Sequence, residues 1–133
     1  ARSIHFAIPP LSGTSEIVIA PNAPLPMITR TVTIDGYTQP GTAVNTDPSA
    51  SNAVLRIRLD GDNLSGLATG LVACADSVVS GLSITRFRAA AISNEGCPFA
   101  SGATVVGNFI GLATDGVTAG ANGQGVKISN GPM

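Results

Sequence analysis

At 133 residues the chain is long enough for one hydrophobic core and one domain. Hydrophobic residues make up 44% of it and charged residues only 11%, with a formal net charge of −1. That balance excludes a disordered chain, which needs charge and few aliphatic residues, and a nucleic-acid partner, which needs a basic footprint.

Residues 4–8 form the first strand-like run, and residues 16–20 and 31–35 are short β-branched runs bounded by Pro21, Pro24, Pro26 and Gly36. Such punctuation marks strands ended by turns. From Tyr37 to Asn52 the composition shifts to Gly, Pro, Ser, Thr and Asn, which predicts a surface loop. Residues 54–59 then alternate strictly, with Val54, Arg56 and Arg58 on one face and Leu55, Ile57 and Leu59 on the other. The pattern predicts a half-buried strand with its arginines in solvent. Residues 70–75 open a further unit, Asp76 makes a corner, and residues 77–84 read as a strand leading to Arg86, Phe87 and Arg88. A run at 89–94, a turn at 94–98, a strand at 103–110, a loop at 111–124 and a last run at 125–130 complete the chain. No amphipathic helix of three turns is visible.

Two of these segments repeat. Residues 77–84 (SVVSGLSI) align with 103–110 (ATVVGNFI), matching Val79 with Val105, Gly81 with Gly107 and Ile84 with Ile110. Residues 89–94 align with 125–130 through a shared Ile-Ser-Asn, at an offset of 36 instead of 26. Periods of this length with strand-like content predict stacked coils, each too thin to bury its own apolar face. Val79, Ile84, Val105, Ile110, Ile128 and Ile57 are then expected to point inward. Asn108 should turn its amide toward the turn backbone, and the ten extra residues should form a loop projecting from one face. The uncharged span 96–114 is broken by Pro98 and several Gly, Ser, Thr and Asn, so membrane insertion is not expected. The chain begins directly with a strand-like run and ends just after a repeat, which reads as a single domain over 1–133 cut from a longer protein.

The chain resembles the parallel β-helix repeat domains of large bacterial secreted and cell-surface proteins. The likeness rests on VTIDGYTQPG at 32–41, RLDG at 58–61, VSGLSITRF at 79–87, GNFIG at 107–111, TDG at 114–116 and GQGVKISN at 123–130. It runs from about residue 4 to residue 131. The resemblance implies an all-β, right-handed parallel β-helix of about four to five coils, with inward stacks of like residues. It implies a structural or adhesive module, secreted or at the cell surface, and no particular reaction. Cys74 and Cys97 are not part of that pattern.

Those cysteines are 23 residues apart, close to one coil, which brings them within reach of a disulfide; two separately buried thiols are the alternative. Neither has a partner His at metal-binding spacing, and no metal or cofactor is expected. Parallel β-helices also carry polysaccharide lyases and hydrolases, whose chemistry needs a constellation of acid–base groups. Asn45-Thr-Asp47 has the letters of a hydrolase carboxylate motif but precedes Pro48 in a loop, the chain has no Asp-Asp, and His5 is its only histidine. Asp60-Gly-Asp-Asn63 supplies too few oxygens for calcium and reads as a turn. Asp35 and Asp60, each before a Gly, are expected as separate turn residues; stacked in an open groove beside Arg58 they would suit a glycosidase pair. Arg56 and Arg58, with Arg86 and Arg88, are candidates for a basic stripe holding an anionic polysaccharide. The expectation is a module without catalysis of its own that presents loops to a polysaccharide or a host-surface ligand and associates end to end through bare strand edges. The alternative is a fragment of a carbohydrate-active enzyme or a polysaccharide-binding piece.

Overall fold

The computed structural model describes residues 2–9, 16–98 and 102–129. Among them the chain forms β1 (Arg2–His5), β2 (Ile17–Ile19), β3 (Val32–Asp35), β4 (Ile57–Asp60), β5 (Leu71–Val72), β6 (Val78–Ser80), β7 (Leu82–Thr85), β8 (Ala90–Ser93), β9 (Thr104–Val106), β10 (Phe109–Ile110) and β11 (Gln124–Lys127). The one helical piece among these residues is a 3-10 turn over Gly36–Thr38. All the strand pairs are parallel, in three sheets ordered β1-β3-β6-β9, β2-β4-β7-β10 and β5-β8-β11. From β3 onward, successive strands visit the three sheets in turn. A parallel bridge between Ile28 and Ala73 extends the third sheet to the circuit before β5.

Alternation within each strand sorts side chains to two faces, and the parallel register stacks like on like. Ile4, Ile34, Val79 and Val105 form one inward column. Ile19, Leu59, Ile84 and Ile110 form a second, and Leu71, Ile92 and Val126 a third. Ile57, Val79, Ile84 and Ile92 are at most 1% exposed, and each contributes on the order of 1.5–3 kcal/mol by burial. Val105 and Ile110, in the last circuit, are half-buried.

The repeat at an offset of 26 is realised in β6–β9 and β7–β10. Its internal structure differs from expectation: each eight-residue segment is two strands in different sheets. Gly81 (φ 73°) and Gly107 (φ 67°) sit in the left-handed region and turn the chain from the first sheet to the second in one residue. Glycine within a strand pattern is the signal for such a bend. Asn108 behaves as expected: its Oδ1 accepts from Leu82 N–H (3.0 Å), and its Nδ2 donates to the carbonyls of Val79 (2.9 Å) and Val106 (3.1 Å).

The last run corrects the alignment. Val126 lies opposite Ile92, so the offset is 34 and not 36. Ile128 therefore falls beyond β11 and is 56% exposed instead of inward. Asn130, the end of the shared Ile-Ser-Asn, lies outside the described residues. The first strand is also earlier than expected. Beyond His5 the chain leaves the sheet, and Phe6 and Ile8 donate their N–H groups to Thr38 Oγ1 (2.7 Å) and Gln39 Oε1 (2.9 Å).

Cys74 and Cys97 form a disulfide with Cα atoms 5.2 Å apart, joining the end of the β5 segment to the turn after β8. Both segments belong to the third sheet, so the bridge ties adjacent circuits. A closed loop of this length contributes about 3 kcal/mol through the unfolded state. Reduction, or Cys74→Ala with Cys97→Ala, is expected to lower the melting temperature by roughly 10 °C without changing the folded far-UV spectrum. An unchanged melting temperature would count against that role.

Candidate functional site

The outward faces of the first two sheets have opposite fates. On the second sheet, Ser83 and Thr85 of β7 point away from the core yet are fully buried. What covers them is the segment 111–120, which does not project from the fold as expected but lies back across the sheet. A bridge between Leu112 and Ala119 and a bond from Gly120 N–H to Gly111 O (2.9 Å) close it into a hairpin. Asp115 caps its tip, accepting from the Thr118 hydroxyl and from the N–H groups of Val117 and Thr118. Those bonds, the Thr118 hydroxyl foremost, hold the Asp115 carboxyl below the usual carboxylate range. Ser83 Oγ donates to Leu112 O (2.6 Å), which seats the hairpin on β7.

Under and beside this cover runs a chain of ionic contacts. Arg86 contacts both oxygens of Asp60, with Nη2 2.6 Å from Oδ2. Arg58 donates to Asp60 Oδ2 (2.9 Å), Thr85 Oγ1 (3.0 Å) and Glu16 Oε1 (3.4 Å). Glu16 Oε2 in turn accepts from the N–H and hydroxyl of Thr114 in the hairpin. The arginines of residues 54–59 were expected in solvent, but the Arg58 side chain is only 17% exposed. The reason is tertiary: Glu16, Asp60 and the hairpin enclose it. Arg86 is also the non-glycine residue with positive φ (60°) among the described residues. Its N–H donates to Gly120 O (3.1 Å), so the unusual backbone aims both its amide and its guanidinium into this cluster.

Burial pushes the Asp60 carboxyl up, but the Arg86 hydrogen bond, the Asp62 N–H and the charges of Arg86 and Arg58 outweigh it and hold the group below its ordinary value of 3.8. Asp60 thus stabilises the fold fully above 3.8, and that contribution is lost as pH falls from there through the lower folded value. Asp60→Asn is expected to cost about 3 kcal/mol at neutral pH, because Arg58 keeps its charge in a covered site. The variant should also lose part of the acid-induced drop in stability expected of the wild type. Denaturant titrations at pH 7 and pH 3 check both; equal stabilities of the two proteins at pH 7 would refute the assignment.

Asp35 is elsewhere. It ends β3 in the first sheet, whereas Asp60 ends β4 in the second, and among the described residues the two share no hydrogen-bond partner. Asp35 Oδ1 accepts from Tyr37 N–H (3.0 Å), capping the 3-10 turn, and from Ser80 Oγ at a long 3.5 Å. In register, His5, Asp35, Ser80 and Val106 form the outward column of this sheet. An open groove of about 560 Å³ lies along it, lined by Asp35, Tyr37, Val44, Asn45, Ser80, Val106 and Gly107. Tyr37 lies against Gly81 and Gly107 and donates its hydroxyl to Gly107 O (2.6 Å). Burial, and then the Asp35 charge, push its phenol above the ordinary value.

The expected basic stripe is not assembled. Arg58 and Arg86 are taken by carboxylates, and Arg56 donates to Gly41 O (3.3 Å) at the loop base. Arg88 lines a different groove, on the third sheet, with Thr69, Gln124 and the Lys127–Glu95 ion pair. Asp60-Gly-Asp-Asn63 is a turn: Asp62 N–H donates to Asp60 Oδ1 (3.0 Å) and Leu64 N–H to Gly61 O (3.1 Å). Among the described residues no cluster of His, Cys, Asp and Glu could hold a metal ion, and no helix is long and apolar enough to cross a membrane. Asn45 and Asp47 bond to each other within the exposed loop. Sequence reasoning missed Glu16, Thr114 and Tyr37. For Tyr37 a signal existed: it is the chain's one tyrosine, two residues after Asp35.

Comparison with family models, with curated proteins and with solved structures found no match to this chain.

Proposed function

We propose that the chain is a right-handed parallel β-helix module of a secreted or cell-surface protein, with a structural or adhesive role and no catalysis of its own. The observation that supports it best is the cyclic order of the strands, in which three parallel sheets grow together around one aliphatic core. Right-handed winding is the hand that parallel crossovers adopt in nearly all sheets. The Cys74–Cys97 bridge fits an oxidising compartment. Asp35 and Asp60 sit on different sheets with different partners, which disfavours the glycosidase pair. A stack of this kind is stiff and displays its outer faces, which suits spacing and presentation. Its first and last circuits carry exposed core-column residues, Ile4 at one end and Val126 at the other, and head-to-tail stacking of two copies would cover both.

Small-angle scattering together with a crystal structure tests the reading. A single right-handed winding supports it; a sandwich or a left-handed path defeats it. Light scattering across a concentration series tests the end-to-end contact, which a strict monomer at high concentration would rule out.

A further inference from the structure

The groove on the first sheet is a different kind of surface from the covered one on the second, and acceptors outnumber donors among its side chains. Tyr37 spends its hydroxyl proton on Gly107 O, and Ser80 Oγ points its proton toward Asp35 Oδ1. What remains beside Asp35 is mainly acceptor capacity: lone pairs on the Tyr37 and Ser80 oxygens, and Asp35 Oδ2, which has no hydrogen-bond partner among the described residues. The lining side chain with a donor to spare is Asn45, whose Nδ2 gives one proton to Asp47 O and keeps a second. No Lys or Arg lines the groove. His5, opposite Asp35 in register, is the nearest ionisable neighbour on the strands and lies on the side of Asp35 away from Ser80. The walls are apolar, with Val44 56% and Val106 55% exposed, beside the ring of Tyr37.

A negative, donor-poor centre between exposed aliphatic walls is complementary to a cation that carries several donors on an amphipathic frame. We propose that this groove binds an amino sugar with a free ammonium group, the ammonium meeting Asp35 Oδ2, neighbouring hydroxyls donating to Tyr37 and Ser80, and a C–H face of the ring resting on Val106 and Val44. The volume suits one or two sugar residues and exceeds what a single lysine side chain fills. An anionic sugar is disfavoured, because its carboxylate would face Asp35 without a counter-charge. This assignment rests on reading the chain as a module that binds at its surface.

Tyr37 makes the site its own reporter, since the chain has one Tyr and no Trp. The experiment titrates the intact protein with a β-1,4-linked glucosamine tetrasaccharide, its fully N-acetylated counterpart and tetralysine, following tyrosine emission at mildly acidic pH, where the sugar amines are protonated. The glucosamine oligomer should give a saturable change. Its N-acetylated counterpart, which lacks the ammonium, should bind at least about tenfold more weakly, the loss expected for one hydrogen bond to a charged group. Tetralysine, which keeps ammonium groups but has neither the hydroxyls for Tyr37 and Ser80 nor a ring face for Val106 and Val44, should also bind more weakly. Asp35→Asn keeps an acceptor for Tyr37 N–H, so it should fold as the wild type does and lose binding by about tenfold or more. Val106→Lys, at an exposed wall position, should weaken binding similarly by placing a resident ammonium beside Asp35. Equal binding of the acetylated sugar, tighter binding of tetralysine, wild-type affinity in Asp35→Asn, or no saturable change at all would each overturn the proposal. None of those results bears on the winding of the chain, which scattering and crystallography decide separately.

Discussion

Ile84→Asp is expected to leave a protein with no cooperative unfolding transition. Ile84 sits at the centre of β7, stacked between Leu59 and Ile110, and is 0% exposed. The substitution removes roughly 1.5–3 kcal/mol of burial and places a carboxylate where the neighbours are aliphatic, at a further cost of several kcal/mol. Together these approach the whole stability of a typical domain, about 5–15 kcal/mol. Val106→Asp, on the exposed face of β9, introduces the same charge and should change stability by only about 0.5 kcal/mol. Circular dichroism on thermal melts distinguishes the two. A cooperative melt for Ile84→Asp near the wild-type temperature would mean that the column around β7 is not the core.

Gly81→Ala should be the most damaging of the glycine substitutions at positive φ, and Gly111→Ala provides the control. Both positions lie in the left-handed region, at φ 73° and 85°, so each variant carries backbone strain of about 1–2 kcal/mol. Nothing lies within 4 Å of a Cβ placed on Gly111. A Cβ on Gly81 would stand 2.6 Å from Tyr37 N and 2.9 Å from Gly36 C, both main-chain atoms that cannot swing aside. The converse contact is tighter still: a Cβ on Gly36 would meet Gly81 O at 2.1 Å. Gly81→Ala must therefore push the first-to-second-sheet corners of neighbouring circuits apart, and a loss of about 4 kcal/mol or more is expected. Comparable denaturation midpoints for the two alanine variants would show that the corners do not touch.

The core was legible because two independent periods agreed. Alternation along residues 54–59 assigned Leu55, Ile57 and Leu59 to one face, and the repeat matched Val79 with Val105 and Ile84 with Ile110. The structure buries the first three and pairs the others in register. What hid the rest was unequal circuit length. Leu71 pairs with Ile92 at an offset of 21 residues, Ile34 with Val79 at 45 and Ile17 with Ile57 at 40. Only the stretch with an offset of 26 shows itself as a repeat. The same inequality concealed the ionic cluster, because Glu16 and Arg58 are neighbours through the β2–β4 register and not through any spacing in the sequence. The ligand-binding candidates Asp35, Asp60, Arg56 and Arg58 do not gather in one place: the structure distributes them over two sheets and the base of a loop. The placement of Ile128 failed because the shared Ile-Ser-Asn outweighed strand register: the pairing that matters is Ile92 with Val126.

The bond between Glu16 and Thr114 joins residues 98 positions apart, whereas most strand pairs join neighbours in the stack. A ribosome adding about 5–20 residues per second delivers Thr114 roughly 5–20 s after Glu16. During that interval β2 and β4 can pair, but their outer face has no hairpin over it, and water reaches Arg58 and Asp60. Folding of this molecule is thus vectorial in its core and retroactive on its surface: the last circuit returns to seal the first. Peeling the final strands away would have to undo that seal first, so fraying from this side is coupled to a strand laid down at the other end.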